Sequence, residues 1–398
     1  MNTASTHQIQ RRRTVPVNVG GIVIGGASPI SVQTMTKTQT EDVRATLEQI
    51  IRSAEAGADI VRVTCDTKEA GVALREIVRE SPVPIVADIH YNAPLALMAL
   101  EAGVQCLRLN PGNIDDPTKV KDIAEEAKAR GVPIRIGVNS GSIPGRKELV
   151  RGRGESIDQT ARNMVDAALH HIGMLEDAGV GLGLIKVSLK ASDVLTNLAA
   201  NRLFAREAKP YPLHLGLTEA GPVQSGSLKS AMGIGVLLAE GIGDTIRVSL
   251  VGEPEEEVRV AKQIIQNLEE TPSGPNLVAC PTCGRLEIDM NPMVDRVEAA
   301  LRRVRRPITV SVMGCVVNGP GEGMHADIGI AGGKQKGLLY KGGRVIATLP
   351  ENELIDALVA ELDAVAQEDE RLLAAGQPLP VGLSGDAVPL TPLPVAGG

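Results

Sequence analysis

The sequence predicts an α/β fold, a (β/α)8 TIM barrel followed by a smaller α+β domain. Between residues 31 and 270, eight short apolar stretches typical of strands alternate with eight longer patterns typical of helices. A segment with Pro and Gly at 271–277 then interrupts the alternation. A doubly wound sheet is the alternative, but such a sheet rarely needs eight consecutive regular units.

The elements can be placed in chain order. Residues 1–30 form an N-terminal segment in which two short apolar runs flank Gly20-Gly21, the pattern of a β-hairpin. The barrel domain occupies 31–270, with strands expected near 31–35, 59–64, 83–89, 105–109, 133–138, 184–189, 212–217 and 244–250. A helix is expected after each strand, at 41–56, 68–80, 93–102, 117–130, 157–178, 192–208, 222–240 and 254–269. Thr40, Asp116 and Ser192 are the expected N-caps of three of them.

The C-terminal part is predicted to be a separate domain. Residues 271–277 read as a linker, and the second domain runs over 278–366. It should contain a strand at 307–313, strands within 337–349 around a Gly342-Gly343 turn, and a final helix from about 351. The chain then turns to Pro, Gly and small residues, which predicts a disordered tail at 367–398.

Composition excludes several classes of partner. The net charge is −7, whereas a general nucleic-acid binder needs a basic surface. With no Trp, three Tyr and one Phe, the chain also lacks aromatic platforms for stacking bases. No apolar run reaches the roughly 18–20 residues of a membrane span, and Arg11-Arg12-Arg13 is not followed by the apolar region of a secretory signal. We therefore expect a cytoplasmic protein that binds neither nucleic acid nor membrane.

Three cysteines and a carboxylate lie in two tight loops of the second domain. The first loop reads Cys280-Pro-Thr-Cys283, and the second runs from Gly314-Cys315 to Glu322. Three thiolates and one oxygen ligand favour an iron–sulfur cluster with one distinct iron. Structural zinc is the alternative, but it usually takes four Cys or a Cys/His mixture, and the nearest histidine, His325, lies past the Gly-rich turn. A disulfide fits poorly, because the five cysteines are an odd number in a chain without secretory features.

The predicted barrel strands share a second pattern. Six of them carry a basic residue, then an aliphatic residue, then a small or polar one: Arg62-Val-Thr, Arg108-Leu-Asn, Arg135-Ile-Gly, Lys186-Val-Ser, His214-Leu-Gly and Arg247-Val-Ser. Because side chains alternate faces along a strand, the cations should converge inside the barrel at its carboxyl-end mouth. Lys190 has the same parity as Lys186. Asp88 and Glu219 could neutralise two of the cations, so the remainder predict a polyanionic ligand, best a phosphate or diphosphate.

Other residues give weaker signals. Cys65 and Cys106 are expected to be buried core thiols. The Asp88-Ile-His90 stretch fits a catalytic role or a structural tie equally well. A basic loop after the fifth strand is more readily a solvated face than a lid over the substrate; it contains Arg146, Lys147, Arg151 and Arg153.

Longer motifs carry a family resemblance from Arg11 to about residue 365. They include Val86-Ala-Asp-Ile-His90, Leu107-Arg-Leu-Asn-Pro-Gly-Asn113, Arg135-Ile-Gly-Val-Asn139, His214-Leu-Gly-Leu-Thr-Glu-Ala-Gly221, Gly241-Ile-Gly-Asp-Thr-Ile-Arg-Val-Ser249, Ala279-Cys-Pro-Thr-Cys283 and Gly314-Cys-Val-Val-Asn-Gly-Pro-Gly-Glu322. With these motifs in this order, the chain resembles the IspG/GcpE family of bacterial 4-hydroxy-3-methylbut-2-enyl diphosphate synthases. No large insert separates barrel and cysteine domain, which resembles the two-domain bacterial form.

The resemblance implies a reaction in the non-mevalonate (MEP) isoprenoid pathway. Such enzymes reduce 2-C-methyl-D-erythritol 2,4-cyclodiphosphate to 4-hydroxy-3-methylbut-2-enyl diphosphate, with electrons from flavodoxin or ferredoxin. The resemblance implies a [4Fe-4S] cluster on Cys280, Cys283, Cys315 and Glu322, with Glu219 and Asn318 near the reacting carbons. The substrate-binding residues that it implies are Arg62, Arg108, Arg135, Asn139, Lys190, His214, Arg247 and Ser249.

Two other functions stay open from the residues themselves. One is a pterin-type barrel transferase with a structural zinc domain, and the other is a non-catalytic iron–sulfur carrier. The chain's connectivity further predicts a head-to-tail homodimer. The eighth helix should return to the end of the barrel opposite the mouth, and a seven-residue linker spans at most about 25 Å. Each second domain is therefore expected to close the partner's barrel.

Overall fold

The structure is a computed structural model that describes residues 9–89, 92–109, 117–142, 155–268, 274–315, 317 and 319–383. The chain divides into two compact units, with the boundary between Leu268 and Glu269. Within the described residues, no helix combines the length and the apolar character that a membrane crossing requires.

The first unit opens with a hairpin of β1 (Val17–Val19) and β2 (Ile22–Ile24). Eight parallel strands follow in the part of this unit that the structure describes. They are β3 (Ser31–Met35), β4 (Ile60–Thr64), β5 (Ile85–Ile89), β6 (Cys106–Leu109), β7 (Ile134–Asn139), β8 (Ile185–Lys190), β9 (His214–Leu215) and β10 (Thr245–Ile246). The ladder order β8-β7-β6-β5-β4-β3-β10-β9 is closed by a parallel bridge between Val187 and Leu213, so the predicted barrel is confirmed.

A helix follows each barrel strand. The eight are α1 (Val43–Glu55), α2 (Lys68–Glu80), α3 (Ala93–Glu101), α4 (Pro117–Arg130), α5 (Ile157–Asp177), α6 (Val194–Glu207), α7 (Val223–Ala239) and α8 (Pro254–Gln266). Two expected caps were wrong: Asp42, not Thr40, caps α1, and Asp193, not Ser192, caps α6. In both cases the carboxylate accepts a backbone N–H of the first turn and satisfies a free donor there. The third expected cap, Asp116, lies outside the described residues.

The barrel core lies between strands and helices. Aliphatic residues that follow the predicted cations, such as Val63, Ile136 and Val187, are buried there. The β1–β2 hairpin packs on the amino ends of β4, β5 and β6, where Val17 and Val19 contact a small cluster that includes Cys106. This hairpin therefore covers the end of the barrel opposite the mouth.

The second unit contains a five-stranded sheet in the order β11-β12-β13-β14-β15. The strands are β11 (Asn276–Ala279), β12 (Thr309–Met313), β13 (Ile328–Ala331), β14 (Lys336–Lys341) and β15 (Arg344–Pro350). The first three are parallel and the last two antiparallel. The helices are α9 (Met290–Leu301), α10 (Gly319–His325) and α11 (Glu351–Ala374), and α9 and α11 share a buried core with the sheet.

Two predicted boundaries need correction. The linker expected at 271–277 overlaps β11, which begins at Asn276. Residues 367–374, expected to belong to a disordered tail, form the end of α11 instead. A buried ion pair stabilises that extension: Arg306 Nε lies 2.5 Å from Asp369 Oδ1, and both side chains are buried. Residues 384–398 lie outside the described part of the chain.

Candidate functional site in the barrel mouth and at the cysteine-bearing sheet edge

The predicted cations lie inside the barrel. Arg108, Arg135, Lys190 and His214 are buried, and the side chains of Arg62 and Arg247 are only 11% and 12% exposed. Their aliphatic neighbours pack outward against the helices, so the alternation read from the sequence is confirmed. Seven basic side chains, Lys186 included, therefore share one interior.

Lys186 pairs in register with Arg135 of β7, so it lies among the cations of the neighbouring strands. It is the second residue of β8, its pKa is lowered by burial, and the nearby Cys106 thiol partly opposes that shift. Cys106 in turn packs against the hairpin that covers the amino end. Strand β8 runs on to Lys190, which pairs in register with Asn139 at the end of β7. Strand β8 thus supplies two buried basic residues of the same parity, with Lys190 at its end.

Asp88 partly neutralises the site from β5. Its Oδ1 accepts a hydrogen bond from Arg108 Nη1 at 3.0 Å, and its Oδ2 lies 3.5 Å from Arg62 Nε. One buried carboxylate thereby holds two guanidinium groups, as expected for Asp88. Arg62 also contacts the sulfur of Met35 through Nε and Nη2.

A second carboxylate, Glu257 of α8, was missed from the sequence. It is 1% exposed and accepts hydrogen bonds from Thr34 Oγ1 at 2.9 Å and from the Leu250 N–H at 3.1 Å. It also lies 3.2 Å from Lys37 Nζ and 3.4 Å from Arg247 Nη2. Glu257 thus connects β3, the segment after β10 and Arg247.

A sequence signal for Glu257 exists, although it is weak. The residue sits in the run Glu255-Glu256-Glu257, which resembles an ordinary acidic first turn. Its spacing to Ala261 and Ile264, both buried, is i+4 and i+7, so Glu257 lies on the apolar stripe of the helix. A carboxylate on such a stripe needs a buried partner.

Two carboxylates leave part of the positive charge uncompensated. Arg135 Nε and Nη1, and both ring nitrogens of His214, are buried and find no hydrogen-bond partner among the described residues. Burial and the neighbouring Arg108 lower the pKa of Arg135 to about 10. An unpaired buried guanidinium costs several kcal/mol, so the interior is set up to receive an anion.

Burial and the neighbouring positive charges also lower the pKa values of two weaker bases, Lys190 and His214. Burial, and then the charges of Arg135 and Arg247, lower the pKa of Lys190 well below its ordinary value. Burial, and then Arg135, Lys190, Lys186 and Arg62, lower the pKa of His214 well below 6.5. Near neutral pH the imidazole of His214 is therefore neutral in the ligand-free site.

Two glycines make room for the cations. A Cβ on Gly137 of β7 would lie 2.7 Å from Arg108 Nε, and one on Gly216 would lie 2.6 Å from Lys190 Nζ and 2.4 Å from the Arg247 carbonyl oxygen. The latter contact is with backbone and cannot be relieved by a rotamer change. Even alanine at Gly216 would displace the strand that carries Arg247.

Other expected site residues lie around the mouth. Glu219 is exposed after β9 and has a left-handed backbone with φ of 53°, a conformation rare for non-glycine residues. Asn139 ends β7, and Ser249 is half-buried after β10. Asn318 lies outside the described residues, as do His90, residues 110–113 and the basic loop with Arg146, Lys147, Arg151 and Arg153.

The three cysteines of the second unit are placed by parallel strands. Cys280 follows β11 and Cys315 follows β12, and the carboxyl ends of paired parallel strands lie at the same edge of a sheet. The Cys280 N–H donates to the Val312 carbonyl at 3.1 Å, and the Gly314 N–H donates to Cys280 Sγ at 3.4 Å. Glu322 is exposed on α10, which begins a few residues after Cys315. The two loops are therefore joined by direct contacts.

These thiols have the properties of metal ligands. Cys280 and Cys315 are partly exposed, Cys283 is exposed, and all five cysteines are free thiols in this structure. A hydrogen bond from the Arg285 backbone N–H, helped by the Arg285 charge, lowers the pKa of Cys283. Cys65 and Cys106 are buried, as expected for core thiols, and burial raises the pKa of Cys65 to about 12.

In the described parts of the chain, no three His, Cys, Asp or Glu side chains converge as ligands of a single ion. By its chemistry, a donor set of three accessible thiols and one carboxylate suits an iron–sulfur cluster, whereas structural zinc usually takes four Cys or a Cys/His mixture.

The comparisons with known proteins point to one family. The GcpE TIM-barrel domain matches residues 14–262, and the GcpE protein C-terminal domain matches residues 276–364. Two curated relatives are named 4-hydroxy-3-methylbut-2-en-1-yl diphosphate synthase (flavodoxin). The protein from Magnetococcus marinus is 48% identical over 90% of this chain and 94% of its own length; that from Geobacter sulfurreducens is 49% identical over 90% and 99%.

Solved structures give only a remote likeness. A dihydropteroate synthase from Coxiella burnetii is 14% identical with a TM-score of 0.48, covering 64% of this chain and 98% of that one. A likeness at this level carries no argument about function. The two family models together cover most of the chain, and the relatives match it over nearly their whole length. The chain belongs to the GcpE family.

Proposed function

We infer that this chain catalyses the reductive ring opening of 2-C-methyl-D-erythritol 2,4-cyclodiphosphate to 4-hydroxy-3-methylbut-2-enyl diphosphate, a step of the MEP pathway. This function is supported by the buried basic side chains around Arg135 and His214. Their buried nitrogens have no hydrogen-bond partner among the described residues, and a polyanionic substrate would supply one. The relatives' shared name supports the same reaction. Nothing in the comparisons supports the pterin-type transferase or the non-catalytic carrier.

The barrel residues are proposed to hold the diphosphate. Arginine forks suit phosphate oxygens, and a buried site strengthens each charge-assisted hydrogen bond. The proposed set is Arg62, Arg108, Arg135, Asn139, Lys190, His214, Arg247 and Ser249. Because Asp88 and Glu257 already fix Arg62, Arg108 and Arg247, these guanidinium groups need little reorganisation when the substrate enters.

The second unit is proposed to hold a [4Fe-4S] cluster on Cys280, Cys283, Cys315 and Glu322. When bound, such a cluster supplies single electrons and a Lewis-acidic iron. Glu322 would supply the one oxygen ligand, which would hold its iron less tightly than the three thiolates hold theirs. The relatives' name supports flavodoxin as the electron donor, and ferredoxin is the second candidate. The free thiols fit a reducing, cytoplasmic setting.

The reaction balances with two electrons and protons from solvent. One C–O bond to phosphate breaks and opens the ring, one hydroxyl leaves as water, and a carbon–carbon double bond forms. The diphosphate stays bound to the barrel cations throughout. Glu219, exposed at the mouth, is proposed to hold or deliver the proton for the departing hydroxyl, with Asn318 beside the reacting carbons.

We also propose a head-to-tail homodimer in which each second unit closes the partner's barrel. Helix α8 ends at Gln266 and β11 begins at Asn276, so the nine residues 267–275 connect them. They can span about 30 Å, whereas α8 is only about 20 Å long. The expectation that the linker is too short for a subunit to cover its own mouth was therefore wrong, because these nine residues reach far enough for either arrangement.

Anaerobic turnover tests the proposed function. Protein reconstituted with iron and sulfide should be brown and should convert the cyclic diphosphate to the allylic diphosphate with a chemical reductant or reduced flavodoxin. Product is measured by chromatography against substrate consumed. A colourless protein that holds stoichiometric zinc would overturn the cluster, and a brown, reducible protein that leaves the cyclic diphosphate unchanged would overturn the reaction.

A further inference from the structure

The side chain of Lys37 connects two loops at the carboxyl end of the barrel. It belongs to the loop after β3, and its Nζ donates hydrogen bonds to two carbonyl oxygens of the loop after β10: that of Leu250 at 2.8 Å and that of Gly252. Its third neighbour is Glu257 Oε1 at 3.2 Å. An ammonium group has three N–H donors, and three acceptors surround this one. Lys37 is thus committed to the protein, unlike the unpartnered cation Arg135 in the interior.

The loop that carries Lys37 is itself anchored. The Thr36 N–H donates to the Arg62 carbonyl of the neighbouring strand at 3.0 Å. The Lys37 N–H donates to Gln49 Oε1 of α1 at 2.6 Å. The ammonium group of Lys37 therefore reaches the loop after β10 from a backbone that is already fixed on β4 and α1.

Lys37 and Glu257 hold the loop after β10 where the sheet ends. The described ladder between β10 and β3 stops at Ile246. Four residues further on, the Leu250 N–H donates to Glu257 Oε1 at 3.1 Å, and the Leu250 carbonyl accepts from Lys37. The other flank of the loop is tied toward β9, where the Val251 N–H donates to a backbone carbonyl at 3.0 Å. The path of this loop is thus set from both flanks, and Lys37 holds one of them.

The residue that this arrangement places is Ser249, which immediately precedes Leu250. Ser249 is half-buried and has the same strand parity as Arg247, whose side chain lies inside the barrel. A hydroxyl group makes a hydrogen bond only within a narrow range of distance and direction. A displacement of about 1 Å is enough to lose a productive contact. Release of the Leu250 carbonyl should therefore be felt at Ser249.

We propose that Lys37 is a positioning residue for substrate binding that acts through Ser249. This inference rests on the proposed function, in which Ser249 contacts the diphosphate-bearing substrate. Lys37 does not bind the substrate in this assignment. Its ammonium group holds two backbone carbonyls, so that the loop after β10 is in place before the substrate enters.

A double-mutant cycle on the loaded enzyme tests the inference. Lys37→Met keeps a long apolar stem but removes the ammonium group, and Ser249→Ala removes the hydroxyl. Each single change should raise KM and weaken calorimetric binding of the cyclic diphosphate about five- to twentyfold, with kcat within about twofold of wild type. The double variant should bind within about twofold of the weaker single variant, because both changes remove the same contact.

Lys262→Met is the matched control. Lys262 lies on α8, its side chain is 40% exposed against 34% for Lys37, and it pairs with a single carboxylate, Asp59, at 3.8 Å. This variant should bind substrate as wild type does. Amide hydrogen exchange over residues 248–253 gives a readout that needs no substrate: it should rise about tenfold or more in Lys37→Met and stay unchanged in the control. If Lys37→Met melts lower than wild type, Lys37→Gln replaces it in the cycle.

The outcomes separate this inference from the proposed reaction. Wild-type substrate binding in either single variant, or losses that multiply fully in the double variant, would overturn the route through Ser249. Faster exchange in Lys37→Met with unchanged affinity would make Lys37 a structural residue and overturn the inference, while the reaction stands. If the wild type itself fails to bind the cyclic diphosphate, the proposed function is wrong and the positioning role falls with it.

Discussion

The barrel mouth and the cysteine-bearing sheet edge differ in how far their functional side chains are buried and held in place. In the barrel, basic side chains are buried on strands and held by Asp88 and Glu257. At the sheet edge, Cys280, Cys283 and Cys315 lie on loops and are partly or fully exposed. The barrel cations are therefore organised before a ligand arrives, whereas the exposed thiols would be fixed only by the cluster proposed for them. The difference predicts which changes damage binding and which damage redox chemistry.

The largest effect is expected from Cys315→Ser. Removing one thiolate should prevent stable loading of a cluster and reduce turnover to background, while binding of the cyclic diphosphate by the barrel persists. Visible absorbance, product formation and calorimetry measure the three quantities. Cys65→Ala removes a buried thiol of the barrel core and serves as the control, with both loading and turnover retained. If Cys315→Ser also abolished substrate binding, the two sites would not be built independently.

A smaller but still large effect is expected from Arg135→Ala. Loss of a charge-assisted hydrogen bond to phosphate should weaken substrate binding by about 1.5–3 kcal/mol, roughly 10–150-fold. Because Arg135 has unpaired nitrogens and like-charged neighbours, the ligand-free barrel should melt no lower than wild type. Calorimetric titration and thermal unfolding measure both quantities. A drop in stability with unchanged affinity would make Arg135 a structural residue.

Glu257→Gln should have a moderate effect through Arg247. The amide keeps the shape of the side chain but loses the charge that holds Arg247 and Lys37. We expect KM to rise about three- to tenfold, about 1 kcal/mol, with kcat and cluster absorbance nearly unchanged. Glu256→Gln is the matched control, since Glu256 pairs on the surface with Arg259. Equal kinetics for the two variants would show that Glu257 does not position Arg247.

The smallest effect is a proton taken up on binding. His214 and Lys190 have lowered pKa values in the free site, so both lose protons at a lower pH than usual. A bound dianion raises both pKa values, so binding should take up protons and strengthen as pH falls from about 8 to 6. Titrations at pH 7 in buffers of different ionisation enthalpy measure the uptake. His214→Asn should reduce this proton uptake. Proton release on binding would contradict the expectation that the bound anion raises the pKa values of His214 and Lys190.

The same pKa shift has a consequence for stability. A base whose pKa is lowered by folding favours the unfolded chain at acid pH, because the unfolded chain binds its proton more readily. The ligand-free barrel should therefore lose stability as pH falls through about 6.5, the ordinary value for His214. Saturating substrate should remove that loss.

The sequence predicted the repeating parts of the fold well. Strands β3 to β8 lie within two residues of their expected positions, because each is an apolar run bounded by clear breaks. The ladders of β9 and β10 are shorter than expected, since Pro212 precedes β9 and Gly216 follows it. Strand parity was enough to place Arg62, Arg108, Arg135 and Arg247 inside the barrel.

Tertiary contacts set the limits of that prediction. In the sequence, Glu257 is one of three consecutive glutamates and cannot be told from its neighbours. Only the packing of α8 on the barrel strands shows that Glu257 is buried and paired. From the sequence, the polar segment after residue 367 was predicted to be disordered. In the structure, Asp369 of this segment forms a buried ion pair with Arg306, which is distant in sequence. Both errors concern buried charges, whose cost is recovered only through a partner distant in sequence.

Substrate binding by cluster-free protein tests the central claim most directly. Protein purified without iron is titrated calorimetrically with the cyclic diphosphate, beside the loaded protein and the Arg135→Ala variant. Because the barrel cations are organised without the metal, the cluster-free protein should bind within about tenfold of the loaded protein, about 1.4 kcal/mol, and Arg135→Ala should weaken both. Substrate binding that appears only after the cluster is loaded, with the same affinity in Arg135→Ala as in wild type, would contradict the claim that the barrel cations form the binding site.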